Sequence, residues 1–287
     1  MLTALFLAAT IDATQVCAKY RNATYTPTPA AKKAIADCGE GSCDIENAQN
    51  FANGDGVKRD YDTAAFFLCR AEENIAPAEF EGMFEHLENM RDGATDAPLH
   101  FCDHVTSGYG GTYCANLRWE ELMPKLDAQL DAMHKRVAAK PSFVALRKAA
   151  DTFVEAETAR IGEQSRGGTG NSAFTLEAEM TAKSNYVEDI GIFVAKRAPL
   201  ASDADLKRVD DALNANYRKA QKEIDEGGED LATWKPLLRD AQRAWIAYRD
   251  AFATFYVAHW SGKAANDVLR REITAQLTRE RAAELQP

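Results

Sequence analysis

Six polar residues in the last fifth of the sequence are candidates for binding a partner. Gln242, Arg243, Arg249 and Asp250 surround Trp245 and Tyr248, and Thr278 and Arg281 follow further on. None of the six is a nucleophile beside a base. Ser172, Ser184 and the five histidines likewise carry no nucleophile-elbow or triad pattern. The chemistry on offer is binding and not catalysis. Two readings of the cluster stand side by side. In the first, its polar members line a groove for a partner. In the second, Trp245 and Tyr248 are core, Arg249 pairs with an acidic residue or a helix end, and Asp250 and Thr278 tie helices together. Helical periodicity favours the second.

Cysteine supplies the other chemistry. All six cysteines, Cys17, Cys38, Cys43, Cys69, Cys102 and Cys114, lie in the first part of the chain. An even number confined to one end reads as a disulfide framework. Metal binding is not expected, because neither Cys38–Cys43 nor Cys102–Cys114 is backed by a second close pair. His100 and His104, four apart around Cys102, do not change that reading. Gly108–Gly111 and Gly167–Gly170 lack the Gly-Lys-Ser/Thr ending of a phosphate loop and read as turns. No cofactor is implied.

The elements that must position the cluster are helices. Leu238, Ala241, Trp245, Tyr248, Phe252 and Phe255 recur at steps of three and four, which places them on one buried stripe. Leu213, Tyr217, Ala220 and Ile224 repeat the period upstream, and Leu269, Ile273 and Leu277 repeat it downstream. Loops at 226–229 and 261–263 separate the three.

The wording of this module, Leu213-Asn214 with Tyr217, then Leu238 to Asp250, then Leu277 to Leu285, resembles the LprI-type (lysozyme-inhibitor-like) family of secreted bacterial proteins. The likeness extends backward as a second, degenerate copy. Cys102 to Ala115 resembles the family's opening, and Leu146, Ala149 and Phe153 fall where Leu238, Ala241 and Trp245 fall later. At the places of Trp245, Tyr248, Arg249 and Asp250 the earlier copy carries Phe153, Ala156, Glu157 and Thr158. The resemblance implies two tandem three-helix units, at about 100–190 and 200–287, with the later one carrying most of the binding. It also implies a bond between Cys102 and Cys114. A second cysteine pair usual in the family is replaced by Ala253 and Ile273 in the later copy, and by Ile161 and Met180 in the earlier.

Upstream, residues 44–75 resemble one Sel-like repeat, a short relative of tetratricopeptide repeats. Gly54 and Gly56 permit a tight turn, Asp60 can cap the next helix, and Ala64, Ala65 and Ala71 allow close helix packing. Antiparallel helices around that turn would bring Cys43 opposite Cys69, leaving Cys17 with Cys38, one of three connectivities open to four cysteines. The organisation expected is an export segment or its remnant at 1–16, a Sel-like region at 17–98, and LprI-like units at 99–197 and 198–287. The fold class is all-α with a disulfide-stapled N-terminal part.

The net charge of −10 argues against nucleic acid, which needs a basic surface to neutralise phosphates. It suits basic protein partners instead. The short apolar run Leu2–Ala9 has no Lys or Arg before it, yet with the cysteines and the family resemblance it favours export to the periplasm or medium. Asn22–Thr24 fits a glycosylation acceptor, which a bacterial origin would make coincidental. No stretch is long and apolar enough for a membrane span. The family resemblance implies a non-enzymatic protein that inhibits lysozyme or another cell-wall hydrolase by occlusion. The alternative is an envelope protein–protein interaction module without inhibitory activity. A hydrolase would be a third class, but no residue pattern supports one.

Overall fold

The computed structural model describes residues 13–21, 25–38, 43–137 and 139–286. The apolar run Leu2–Ala9 and the Asn22–Thr24 acceptor lie outside the described residues. Among the described residues the chain forms eleven α-helices and no strand, with one isolated bridge between Ser261 and Ala264. Two compact units divide it, Met1–Cys114 and Ala115–Pro287.

The first unit holds α1 (Ala13–Arg21), α2 (Pro29–Cys38), α3 (Asp44–Asn53), α4 (Tyr61–Ala71), α5 (Pro77–Arg91) and the opening turns of α6 (Gly108–Arg136). Gly54 and Gly56 have φ of 82° and 67°, a left-handed conformation that makes the α3–α4 turn possible without steric cost. Asp60 caps α4 by accepting from the Thr63 amide at 3.1 Å. Ala64 and Ala65 are fully buried where the two helices pack.

Three disulfides close this unit: Cys17–Cys69, Cys38–Cys43 and Cys102–Cys114. The pairing of Cys43 with Cys69 and of Cys17 with Cys38 is therefore incorrect. The register of the hairpin explains why. Asp44 at the start of α3 meets Arg70, with Nε to Oδ1 at 3.0 Å. The neighbouring Cys69 is rotated by about 100° around α4 and so faces elsewhere. It meets Cys17 on α1, with the two Cα atoms 5.4 Å apart. Cys43 instead closes on Cys38 at the end of α2.

The second unit contains the rest of α6, then α7 (Lys140–Gln164), α8 (Asn171–Ala195), α9 (Asp203–Glu226), α10 (Trp234–His259) and α11 (Asn266–Glu284). A reciprocal capping box starts α9: the Asp205 amide donates to Ser202 Oγ at 3.1 Å, and the Ser202 amide donates to Asp205 Oδ2 at 3.0 Å. The six helices form two triplets with a common pattern. First and third helices run parallel: Arg118 meets Glu177 and Lys183 meets Asp127 in the earlier triplet, while Arg271 meets Asp203 and Asn216 donates to the Ala282 carbonyl in the later.

The middle helices, α7 and α10, pack antiparallel. Phe143 meets the edge of Phe255 at 5.4 Å between ring centroids, and Phe153 stacks on Tyr248 at 5.7 Å. Each large apolar side chain buried here contributes about 2 kcal/mol. Leu238, Ala241, Trp245, Tyr248 and Phe252 are all buried, as are Ala253, Ile273 and Met180 at three of the places where cysteines are missing. The last turn of α8 and the strap to α9 are pinned to the end of α10, with Trp260 Nε1 donating to the Phe193 carbonyl at 2.9 Å and the Ala198 amide donating to Tyr256 Oη at 2.7 Å. The 197/198 boundary falls in this strap, yet the triplets on either side share one core. The first compact unit runs to Cys114, where the Cys102–Cys114 bond keeps the start of α6 with it.

Candidate functional site

Residues of α7, α8, α10 and α11 enclose a cleft of about 760 Å³ in the second unit. Steps of three and four bring the lining of each helix to one face: Trp245 and Tyr248 from α10; Leu277, Glu280, Arg281 and Glu284 from α11; Phe153, Glu157 and Arg160 from α7. Phe174, Glu177, Tyr186, Glu188 and Asp189 come from α8. Phe174 is largely exposed, so it stands where the cleft opens.

Arg281 organises one side of the cleft and is itself 1 % exposed. Its Nη2 reaches Glu157 Oε2 at 3.1 Å, its Nη1 donates to Glu284 at 2.9 Å, and its Nε donates to Gln242 Oε1 at 3.3 Å. The guanidinium also lies over the Phe153 ring at 5.2 Å. Arg160 completes the arrangement by donating to Glu157 at 2.5 Å. Burial alone would raise the Glu157 carboxyl. The hydrogen bond from Arg160 and the charge of Arg281 outweigh it and hold the group at about 2.

The other side of the cleft has no such compensation. Burial, reinforced by the charges of Glu280, Glu188 and Glu284, pushes the Asp189 carboxyl up to about 8. Burial also raises Glu280, against a hydrogen bond from Gln276. Tyr248 is buried, and its hydroxyl has no hydrogen-bond partner among the described residues. Desolvation, followed by the charge of Asp189, holds that phenol well above its ordinary range. Tyr186, next to Tyr248, donates to Asp151 at 3.1 Å.

The six candidate residues from the sequence do not form one patch. Gln242, Thr278 and Arg281 are buried, whereas Arg243 and Asp250 are exposed on the far face of α10 from the stripe. Arg249 donates to Asp250 at 2.9 Å and lies over Trp245 at 5.2 Å. Among the described residues, the polar contacts of the Asp250 and Thr278 side chains are local. Asp250 accepts from its chain neighbour, and Thr278 Oγ1 donates to the Thr274 carbonyl within its own helix at 2.6 Å. Their short side chains satisfy local partners first.

The residues missing from the sequence reading are Glu157, Asp189, Glu280 and Glu284. Glu157 stood out only as a departure at the place of Arg249. Its signal was the register: it continues the buried series Leu146, Ala150, Phe153 and Val154 on α7.

Among the described residues no group of carboxylate, histidine or cysteine side chains is placed to hold a metal ion, and no helix is long and apolar enough to cross a membrane. No curated protein and no solved structure matches this chain. A family model described as Lysozyme inhibitor LprI matches residues 200–285, which are α9, α10 and α11 with the end of the strap before them.

Proposed function

We propose that this protein is an exported binding protein that captures a basic cell-wall hydrolase such as lysozyme and inhibits it by occlusion. The observation that carries this reading is the LprI match over the whole later triplet. The acidic cleft supports it, since a net negative concave surface attracts basic proteins and speeds their association. Export is supported by the three disulfides in the first unit, a bond type that persists in oxidising compartments. The earlier triplet is read as a second, diverged LprI-like unit on its repeated helix order and parallel first and third helices. A direct test is binding to immobilised lysozyme across a salt series. Screening sets in beyond about 8 Å near 0.15 M, so affinity is expected to fall steeply through that range.

A second reading, an envelope interaction module, draws on the α3–α4 hairpin. Its left-handed glycine turn and buried alanines fit a Sel-like repeat, a form that commonly docks other proteins. Binding that is retained by the first unit and indifferent to lysozyme would favour it.

A further inference from the structure

We propose that the cleft between α7, α8, α10 and α11 receives an arginine side chain from the partner protein, its guanidinium set among Asp189, Glu280 and the Tyr248 hydroxyl. The identity of the partner as a basic hydrolase rests on the reading above; the chemistry of the pocket does not.

The cleft presents six carboxylates against two guanidinium groups. Both guanidiniums are already engaged, Arg160 by Glu157 and Arg281 by Glu157 and Glu284, so an anion would find no free cation there. Glu177 is matched by Arg118. The carboxyl groups without an ion-pair partner are therefore on the α8 and α11 side, at Glu188, Asp189 and Glu280. Neither Glu188 nor Asp189 has an ion-pair partner among the described residues.

Tyr248 supplies an independent pointer. Its hydroxyl is buried and unpartnered, and the residue lines the cleft. A polar atom buried without a partner costs about 1–3 kcal/mol, which a ligand donor would remove. A guanidinium has five donors in a planar fork and can serve two carboxylates and a phenol oxygen together. Ile161, Phe174, Ile192 and Leu277 give the cleft an apolar lining for the three-carbon stem. A bare divalent cation fits less well, because the carboxylates are not grouped closely enough to ligate one.

Asp189 links occupancy to pH. With its carboxyl near 8 in the free protein, a bound cation must drive its proton off, so binding tightens as pH rises toward 8. The groups that can modulate this are Glu157 and Arg160 on α7, and Glu177, Tyr186 and Glu188 on α8. Tyr248 on α10, and Glu280, Arg281 and Glu284 on α11, complete the set.

The test uses the full chain and N-acetylarginine methylamide as probe, followed by NMR titration at pH 6.0 and pH 8.5, with the citrulline analogue as neutral control and spermidine as competitor. The expected result is saturable binding of the arginine probe only, about tenfold or more tighter at pH 8.5. Asp189→Asn and Glu280→Gln should each weaken it about tenfold, while Glu226→Gln, at an exposed residue ending α9, leaves it unchanged. The two cleft variants remove a charge from a crowded site, and a thermal melt no lower than that of the parent confirms that they fold. Absence of saturable binding at pH 8.5, or equal binding of the citrulline analogue, overturns the proposal. Preferential binding of spermidine overturns the assignment to a protein-borne arginine. Lysozyme binding that survives both cleft substitutions overturns the arginine contact while leaving the hydrolase reading standing. Arginine binding without lysozyme binding supports the pocket and overturns the hydrolase reading.

Discussion

Arg281 and Glu157 lie 3.1 Å apart, both buried, although 124 positions separate them in the chain. One comes from the last helix of the later triplet and the other from the middle helix of the earlier. Their pairing ties the two triplets together, since without it Glu157 would keep only Arg160, and Arg281 only Glu284, as counter-charge.

Arg281→Met should cost about 3 kcal/mol, because Glu157 keeps only Arg160 as counter-charge. Adding Glu157→Gln should recover most of that loss, a coupling that a double-mutant cycle by urea unfolding will measure. The same pair sets an acid limit. A carboxyl held at about 2 when folded, and near 4.5 when unfolded, contributes stability that is complete above 4.5 and lost as pH falls toward 2. That contribution is on the order of 3 kcal/mol, and acid melts of the parent and of Glu157→Gln should diverge above pH 4 and converge near pH 2.

Asp189 has the opposite sign. Its folded carboxyl is raised to about 8, so its protonated form favours the fold below the unfolded value, and that stability drains away as pH rises through 8. Asp189→Asn should therefore raise Tm at pH 8 and leave it nearly unchanged at pH 4. Each 1 kcal/mol gained at the melting point corresponds to about 2–4 °C in a protein of this size class. An equal shift at both pH values would show that Asp189 is solvated.

The disulfides should differ in worth. Chain-entropy scaling assigns about 4 kcal/mol to the 52-residue separation of Cys17 and Cys69, and about 2 kcal/mol to the five-residue separation of Cys38 and Cys43. Paired Cys→Ala variants compared by thermal melting should reproduce that order. Non-reducing peptide maps should return Cys38 joined to Cys43.

The later triplet alone should not fold stably. Tyr248, Phe252 and Phe255 are buried in a core that includes Phe143, Phe153 and Phe193 of the earlier triplet. Residues 198–287 should give a broad, weakly cooperative melt, and residues 115–287 a sharp one. Equal cooperativity in both would show that the shared core is dispensable.

The helix stripes and the α3–α4 turn were legible because each rests on local rules: a period near 3.6, left-handed glycines, an Asp cap. The pairing of Cys69 was not, because it depends on rotation about α4 and on α1, an element far away in the chain. The cleft was illegible for a related reason. Arg281 could be singled out by its motif, but its partner Glu157 looked like a loss in a diverged copy. Only the fold, which sets Glu157 on α7 beside Arg281 on α11, shows that the carboxylate answers the arginine. Asp189 and Tyr248 carry their significance through burial, and burial of a polar atom has no signature in residue type.

Capture and inhibition of a basic cell-wall hydrolase can be read directly from lysozyme turnover on cell-wall substrate with increasing amounts of the intact, oxidised chain. Saturating inhibition is expected at micromolar protein and low ionic strength, weakened by salt and by Asp189→Asn. Unchanged turnover with lysozymes of several classes, together with no detectable complex under the same conditions, would contradict it.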